Sequence, residues 1–161
     1  MTPNRLTPFQ TILIGGMAVG CLDILKPITF AAARGVPATR VLQSVASGAL
    51  GRSAYQGGLP VALLGLALHF FIAFCVFTTY YLVSRRVDVL KRHALILGPL
   101  YGIAVHLFMQ FVVFPLSAIG SIPHPMNAMI DGILTHVFCV GLPTGLVVHE
   151  AARRDALSSK S

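Results

Sequence analysis

Four long apolar runs, each closed by polar or basic residues, set the pattern of the chain. They cover approximately residues 8–33, 59–84, 93–117 and 126–149. A helix crosses the bilayer core in roughly 20 residues, so each run is long enough to span with some tilt. Lipid offers backbone N–H and C=O groups no partners, and continuous runs of this length predict helices rather than the short alternating strands of a barrel. Thr7 suits an N-cap and Pro8 a first helical position. The predicted fold is all-α, an integral membrane four-helix bundle forming a single domain over residues 1–161.

The connections differ in kind. In residues 39–50, Val41, Leu42, Val45, Ala49 and Leu50 recur at helical spacing, while Arg40, Gln43, Ser44 and Ser47 fall largely elsewhere. This predicts a short amphipathic interfacial helix lying on, or dipping into, the outer leaflet. Residues 51–58 read as a flexible turn, and residues 120–125 as a tight connection without Lys or Arg.

Composition sharpens this picture. The 161 residues are 55% hydrophobic and only 11% charged, with a mean hydropathy of +0.79. A soluble domain carries about 25% charged residues, so an ordinary cytosolic enzyme, a disordered chain and a coiled coil are all excluded. The net charge of +7 sits in short clusters beside the apolar runs, which encodes orientation in a bilayer and not nucleic-acid binding. With a cytoplasmic N-terminus, that side holds Arg5, Arg85, Arg86, Lys91, Arg92, Arg153, Arg154 and Lys160, against Arg34, Arg40 and Arg52 outside. Eight against three predicts both termini in the cytoplasm. The three outer arginines are candidates for headgroup contact. Tyr80 and Tyr81 suit an interfacial aromatic position on the inner side. Cys21, Cys75 and Cys139 lie in apolar runs without Cys-x-x-Cys spacing and read as small buried residues. Ala18-Val-Gly-Cys21 loosely resembles a lipoprotein cleavage box, but Ala at the third position before Cys and the apolar residues that follow argue against it.

Ionisable side chains inside the runs carry the candidate chemistry, because in hydrocarbon they normally face the bundle interior or a water-filled cavity. Asp23 and Lys26 lie in span one, His69 in span two, His106 and Gln110 in span three, and Asp131 and His136 in span four. At 1.5 Å per residue, Asp23 and His106 lie about 20 Å from the cytoplasmic end of their spans. His69 and His136 lie about 15 Å below the outer end, and Asp131 about 8 Å below it. All fall between the midplane and the outer surface, which predicts one shared polar core. Small residues line the same faces. Gly16/Gly20, Gly98/Gly102 and Gly141/Gly145 form G-x-x-x-G pairs in three different spans, which predicts close helix packing. Gly65, His69 and Ala73 share a face, and Gly132 precedes His136 by four. Each membrane histidine has Phe two residues on, at Phe71, Phe108 and Phe138, so an inward His sends its Phe outward. Asp23 and Lys26, at i and i+3, are expected to form an intrahelical ion pair, with Lys26 snorkelling to the outer headgroups as the alternative. Pro99, Pro115 and Pro143 free backbone carbonyls for which Ser117, Thr144 and water are candidate partners.

From span two to the C-terminus the chain resembles the YagU-like bacterial inner-membrane proteins. The resemblance rests on the stretch from His69-Phe-Phe-Ile-Ala-Phe to Tyr80-Tyr-Leu-Val-Ser-Arg-Arg86, on Phe114-Pro-Leu116, on Thr135-His136, and on Glu150 with Arg153-Arg-Asp155. It implies a multi-pass inner-membrane protein and supplies no catalytic assignment. Upstream, Arg34-Gly35, Val41-Leu-Gln43 and Ala46-Ser-Gly48 resemble a smaller class of four-span proteins instead.

The functional expectation is a non-catalytic bundle that binds a small ligand, lipid or partner subunit through Asp23, Lys26, His69, His106, Gln110, Asp131 and His136. Membrane lipid is the expected partner, with a homo-oligomer or a membrane partner subunit as further candidates. The alternatives are an intramembrane metal or haem site on His69, His106 and His136, or a small transporter or proton relay. The cofactor is left unknown. No G-x-S-x-G, Walker loop or H-E-x-x-H motif occurs, which disfavours an enzyme.

Overall fold

The computed structural model describes residues 6–121, 123 and 125–158. Arg5 and Lys160 of the charge count, and His124 of the 120–125 connection, lie outside them. Among the described residues the chain is helical and contains no strand. Four helices are long and apolar enough to cross a membrane: α1 (Pro8–Ala32), α3 (Gly58–Arg86), α5 (Ala94–Leu116) and α6 (Met126–Ser158). Two short helices connect them, α2 (Ala38–Leu50) between α1 and α3, and α4 (Asp88–Arg92) between α3 and α5.

The start of α1 follows from its first residues. Thr7 Oγ1 accepts from the Gln10 amide at 3.2 Å, and Gln10 Oε1 accepts from the Thr7 amide at 2.9 Å. This reciprocal box satisfies two donors that the helix leaves open, and Pro8 has no N–H to satisfy. Prolines also explain the two irregular turns. Pro115 lacks the donor for the carbonyl four residues back and its ring crowds that carbonyl. The chain responds with a wide π turn at Met109–Val113, where the Phe114 amide bonds the Met109 carbonyl five residues back. Pro143 does the same to α6: the π turn is His136–Gly141, and the Leu142 amide bonds the Val137 carbonyl. Rearranged backbone, not Ser117 and Thr144, therefore absorbs the two prolines. Ser117 Oγ donates to the Phe114 carbonyl at 2.7 Å, and the buried Thr144 hydroxyl has no hydrogen-bond partner among the described residues.

Packing runs α3 on α1, α1 on α6 and α6 on α5. The α5–α6 contact is made by glycine backbones. A Cβ at Gly98 would meet the carbonyl of Gly141 and the Cα of Gly145, and one at Gly102 would meet the carbonyl of His136. The Gly16/Gly20 pair works differently, because the rings of Phe74 and Phe70 from α3 fill the space above it. Gly65 does not face another long helix; the backbone of Leu42 in α2 covers it.

Helix α2 packs on α3. Gln43, Ala46 and Ser47 are buried, whereas Ala49 and Leu50 are exposed. The polar groups bring their own partners: Gln43 Nε2 donates to the Gly58 carbonyl at 3.0 Å and Ser47 Oγ to the Ser44 carbonyl at 2.6 Å. Small and hydrogen-bonded residues thus take the protein side, where Gly65 permits close approach. The stretch after α2 is not a flexible turn but a 3-10 helix, Gly51–Gln56. Arg40 Nη1 holds it by donating to the Tyr55 carbonyl at 2.9 Å, with the guanidinium over the Tyr55 ring.

Tyr80 is a core residue. It is 3% exposed, its hydroxyl donates to the Leu90 carbonyl of α4 at 3.1 Å, and its ring lies 5.1 Å from that of Tyr101. The fold-back of α4 supplies the acceptor that a buried phenol needs. Tyr80→Phe is expected to cost about 1 kcal/mol by leaving that carbonyl unpaired. Thermal unfolding in mild detergent reads this directly, and an unchanged Tm would mean the hydrogen bond contributes nothing.

Candidate intramembrane polar cavity

Direct contact between α3 and α5 is slight. The Tyr101 hydroxyl of α5 donates to the Val76 carbonyl of α3 at 2.9 Å. Beyond that bond the two helices flank a cavity of about 520 Å³, with α1 and α6 behind it. Helix α2 covers one end, presenting Ser44, Val45 and Gly48. The Ala118 amide, just past α5, bonds the Gly48 carbonyl at 2.8 Å and ties this cover to α5.

Asp23 from α1, His69 from α3, His106 and Gln110 from α5, and His136 from α6 all line this cavity. Every long helix therefore contributes at least one polar side chain to it. The phenylalanines two residues after each histidine point away, with Phe71, Phe108 and Phe138 exposed by 65%, 57% and 61%. This is the outcome of a turn of roughly 200° between residues two apart.

Each histidine is held by backbone that glycine makes accessible. His69 Nε2 lies 2.9 Å from the carbonyl of Gly20 on α1. His136 Nδ1 lies 2.9 Å from the carbonyl of Gly132, four residues back on its own helix. A carbonyl can only accept, so each of these nitrogens carries a proton; in a neutral imidazole the other ring nitrogen then keeps a lone pair. His106 is buried, with its ring seated against Gly132, where a Cβ would collide with it. The rings of His106 and His136 meet edge to face, 4.8 Å apart between centroids. Gln110 Oε1 is buried and has no hydrogen-bond partner among the described residues.

Lys26 and Asp131 do not line the cavity. Lys26 Nζ is ion-paired with Asp131 Oδ2, joining α1 to α6. This corrects the expected Asp23–Lys26 pair. The long lysine stem reaches the neighbouring helix, where a carboxylate without another cation compensates its charge, and Asp23 is left facing the cavity. The three histidines named for the alternative metal site have different surroundings. His106 and His136 are adjacent, His69 is engaged by Gly20, and no group of three His, Cys, Asp or Glu among the described residues is arranged to hold a metal ion. Of the outer arginines, Arg34 stacks on Phe30 at 3.8 Å and Arg40 braces the 3-10 helix, while Arg52 is exposed. The three cysteines are free.

Sequence reasoning missed the contribution of α2 to the cavity wall and the closure by Tyr101. A phenol in an otherwise apolar run was a usable signal for Tyr101, because its hydroxyl must find a partner. Nothing comparable marked Ser44 or Gly48.

Fold and site define an all-helical protein with four helices of membrane-spanning length and apolarity around a polar-lined cavity. Compared with known proteins, the chain matches no protein-family model, no curated protein and no solved structure.

Proposed function

We propose that the chain is a multi-pass protein of the bacterial inner membrane, a four-helix bundle with both termini in the cytoplasm and α2 at the outer membrane boundary. Its role is non-catalytic: the cavity takes a small ligand, a lipid or a side chain of a partner subunit from the bilayer. The YagU-like resemblance of the region from α3 onward belongs to this proposal.

One observation carries the reading. In a chain with only 11% charged residues, polar side chains from four separate helices converge on a single cavity, and one of them, Gln110, has a buried oxygen with no hydrogen-bond partner among the described residues. A buried polar group without a partner costs about 1–3 kcal/mol, and a ligand or bridging water recovers that cost. The slight contact between α3 and α5 supports entry from the side.

Native mass spectrometry of protein extracted in mild detergent tests this. The expected result is a retained small molecule or lipid that disappears on Val105→Trp, which fills the cavity. His69→Gln, His106→Gln and His136→Gln are each expected to preserve folding, since interhelical hydrogen bonds in membranes average about 0.6 kcal/mol. A stoichiometric metal lost with each of these substitutions would overturn the reading.

A further inference from the structure

We infer that the cavity recognises the protonated amine head of a lipophilic amine, its hydrocarbon body lying along α3 and α5. This rests on the reading of the cavity as a small-ligand site and adds the chemical class of the ligand.

With its histidines as neutral imidazoles, the polar wall is rich in acceptors; its donors are the Gln110 amide NH2 and the His106 N–H. His69 spends its Nε2 proton on the Gly20 carbonyl and keeps an acceptor at Nδ1. His136 spends its Nδ1 proton on the Gly132 carbonyl and keeps an acceptor at Nε2. Ser44 already donates its hydroxyl proton to the Val41 carbonyl at 2.6 Å, leaving only lone pairs. Gln110 Oε1 is an acceptor without a partner among the described residues. An ionised Asp23 carboxylate only accepts. Such a wall is matched by a head rich in N–H donors. It is mismatched to a carboxylate, phosphate or carbonyl head, which brings more acceptors.

Charge points the same way. Lys26, the lysine of α1, is committed to Asp131 on α6. Asp23 has no ion-pair partner among the described residues, so one carboxylate faces the cavity without a compensating cation. In a low-dielectric site an opposite charge on the ligand is worth far more than in water. A primary ammonium offers that charge and three donors on one atom. Leu68, Ile72, Val105 and Val113 supply an apolar surface for the rest of the molecule. A volume of about 520 Å³ falls inside the range of about 300–1,000 Å³ found for small-molecule sites.

The test compares three probes of equal chain length, dodecylamine, dodecanol and dodecanoate, by thermal unfolding of the full chain in mild detergent. The amine is expected to raise Tm by roughly 5–10 °C at a hundredfold excess over Kd, and the other two by little. Asp23→Asn should abolish the amine shift and Asp23→Glu should retain it. Gln110→Leu should reduce the shift, which keeps the test decisive if the Asn variant does not fold. Equal shifts from all three probes, or an undiminished amine shift in Asp23→Asn, would overturn the amine assignment and leave the ligand site standing. No shift from any probe, together with a retained molecule that Val105→Trp expels, has the same meaning. No shift and no retained molecule would sink both readings.

Discussion

Gly98→Val is expected to prevent the chain from reaching a monodisperse folded state. At Gly98 the opposing surface is backbone: the position of an added Cβ lies 2.9 Å from the Gly145 Cα and 3.0 Å from the Gly145 nitrogen, and it also meets the Gly141 carbonyl. A flexible side chain can move aside, but here α5 and α6 would have to separate along their shared length. Overpacking a core costs about 1–3 kcal/mol and sometimes more, against a typical total stability of about 5–15 kcal/mol. The separation would also unseat His106 from Gly132 and part the two histidine rings. Size-exclusion chromatography of detergent-extracted protein should show aggregate or loss of yield. The matched control is Gly48→Ala, where an added Cβ meets nothing within 4 Å; it should be neutral or slightly stabilising through helix propensity. Wild-type behaviour of Gly98→Val would show that the two helices do not approach through their glycines. Gly16→Ala should fall between the two, because the Phe74 ring above it can shift.

Removing Lys26 should destabilise the chain more than removing Asp131, and removing both should cost less than the sum. Lys26→Met leaves the Asp131 carboxylate without its cation. A charged residue in the middle of a membrane helix costs about 2.5–3.5 kcal/mol. Asp131 starts nearer a helix end, which lowers that figure. Asp131→Asn leaves Lys26, whose flexible stem can carry its ammonium toward the headgroups. Thermal unfolding of both single variants and of Lys26→Met/Asp131→Asn in lipid nanodiscs gives the coupling from a double-mutant cycle. The charge-swapped chain, Lys26→Asp with Asp131→Lys, should recover part of the lost Tm. Strictly additive single effects would mean the α1–α6 ion pair contributes nothing.

Much of the architecture was legible because hydrophobic run length is a one-dimensional property. Lipid forces each run to satisfy its backbone within itself, so 8–33 in the sequence becomes Pro8–Ala32 in the structure with little room for another outcome. Thr7 and Pro8 mark the start of α1 for the same local reason. The inward stripe of His69, His106 and His136 was legible from helical phase. Partner choice was not. Lys26 had Asp23 one turn away on its own helix and took Asp131 instead. Tyr80 stood beside Tyr81 at the end of a span and turned into the core because α4 folds back with a free carbonyl at Leu90. In α2, the periodicity did not show that Gln43 would reach the Gly58 carbonyl at the start of α3, or that Ser47 would be buried with its hydroxyl bonded to the Ser44 carbonyl of its own helix.

By itself the sequence determined that the chain is helical, that four of its helices match a bilayer in length and apolarity, and which face of each carries polar groups. Those properties follow from periodicity and from the cost of unpaired backbone in hydrocarbon, which act within each segment. Only the tertiary structure decided that Asp23, His69, Gln110 and His136 share a cavity, that α2 covers it, and which nitrogen of His69 and of His136 is left to accept. These outcomes depend on which helices approach closely and on which carbonyl each side chain then reaches, distances that exist only once the helices have packed.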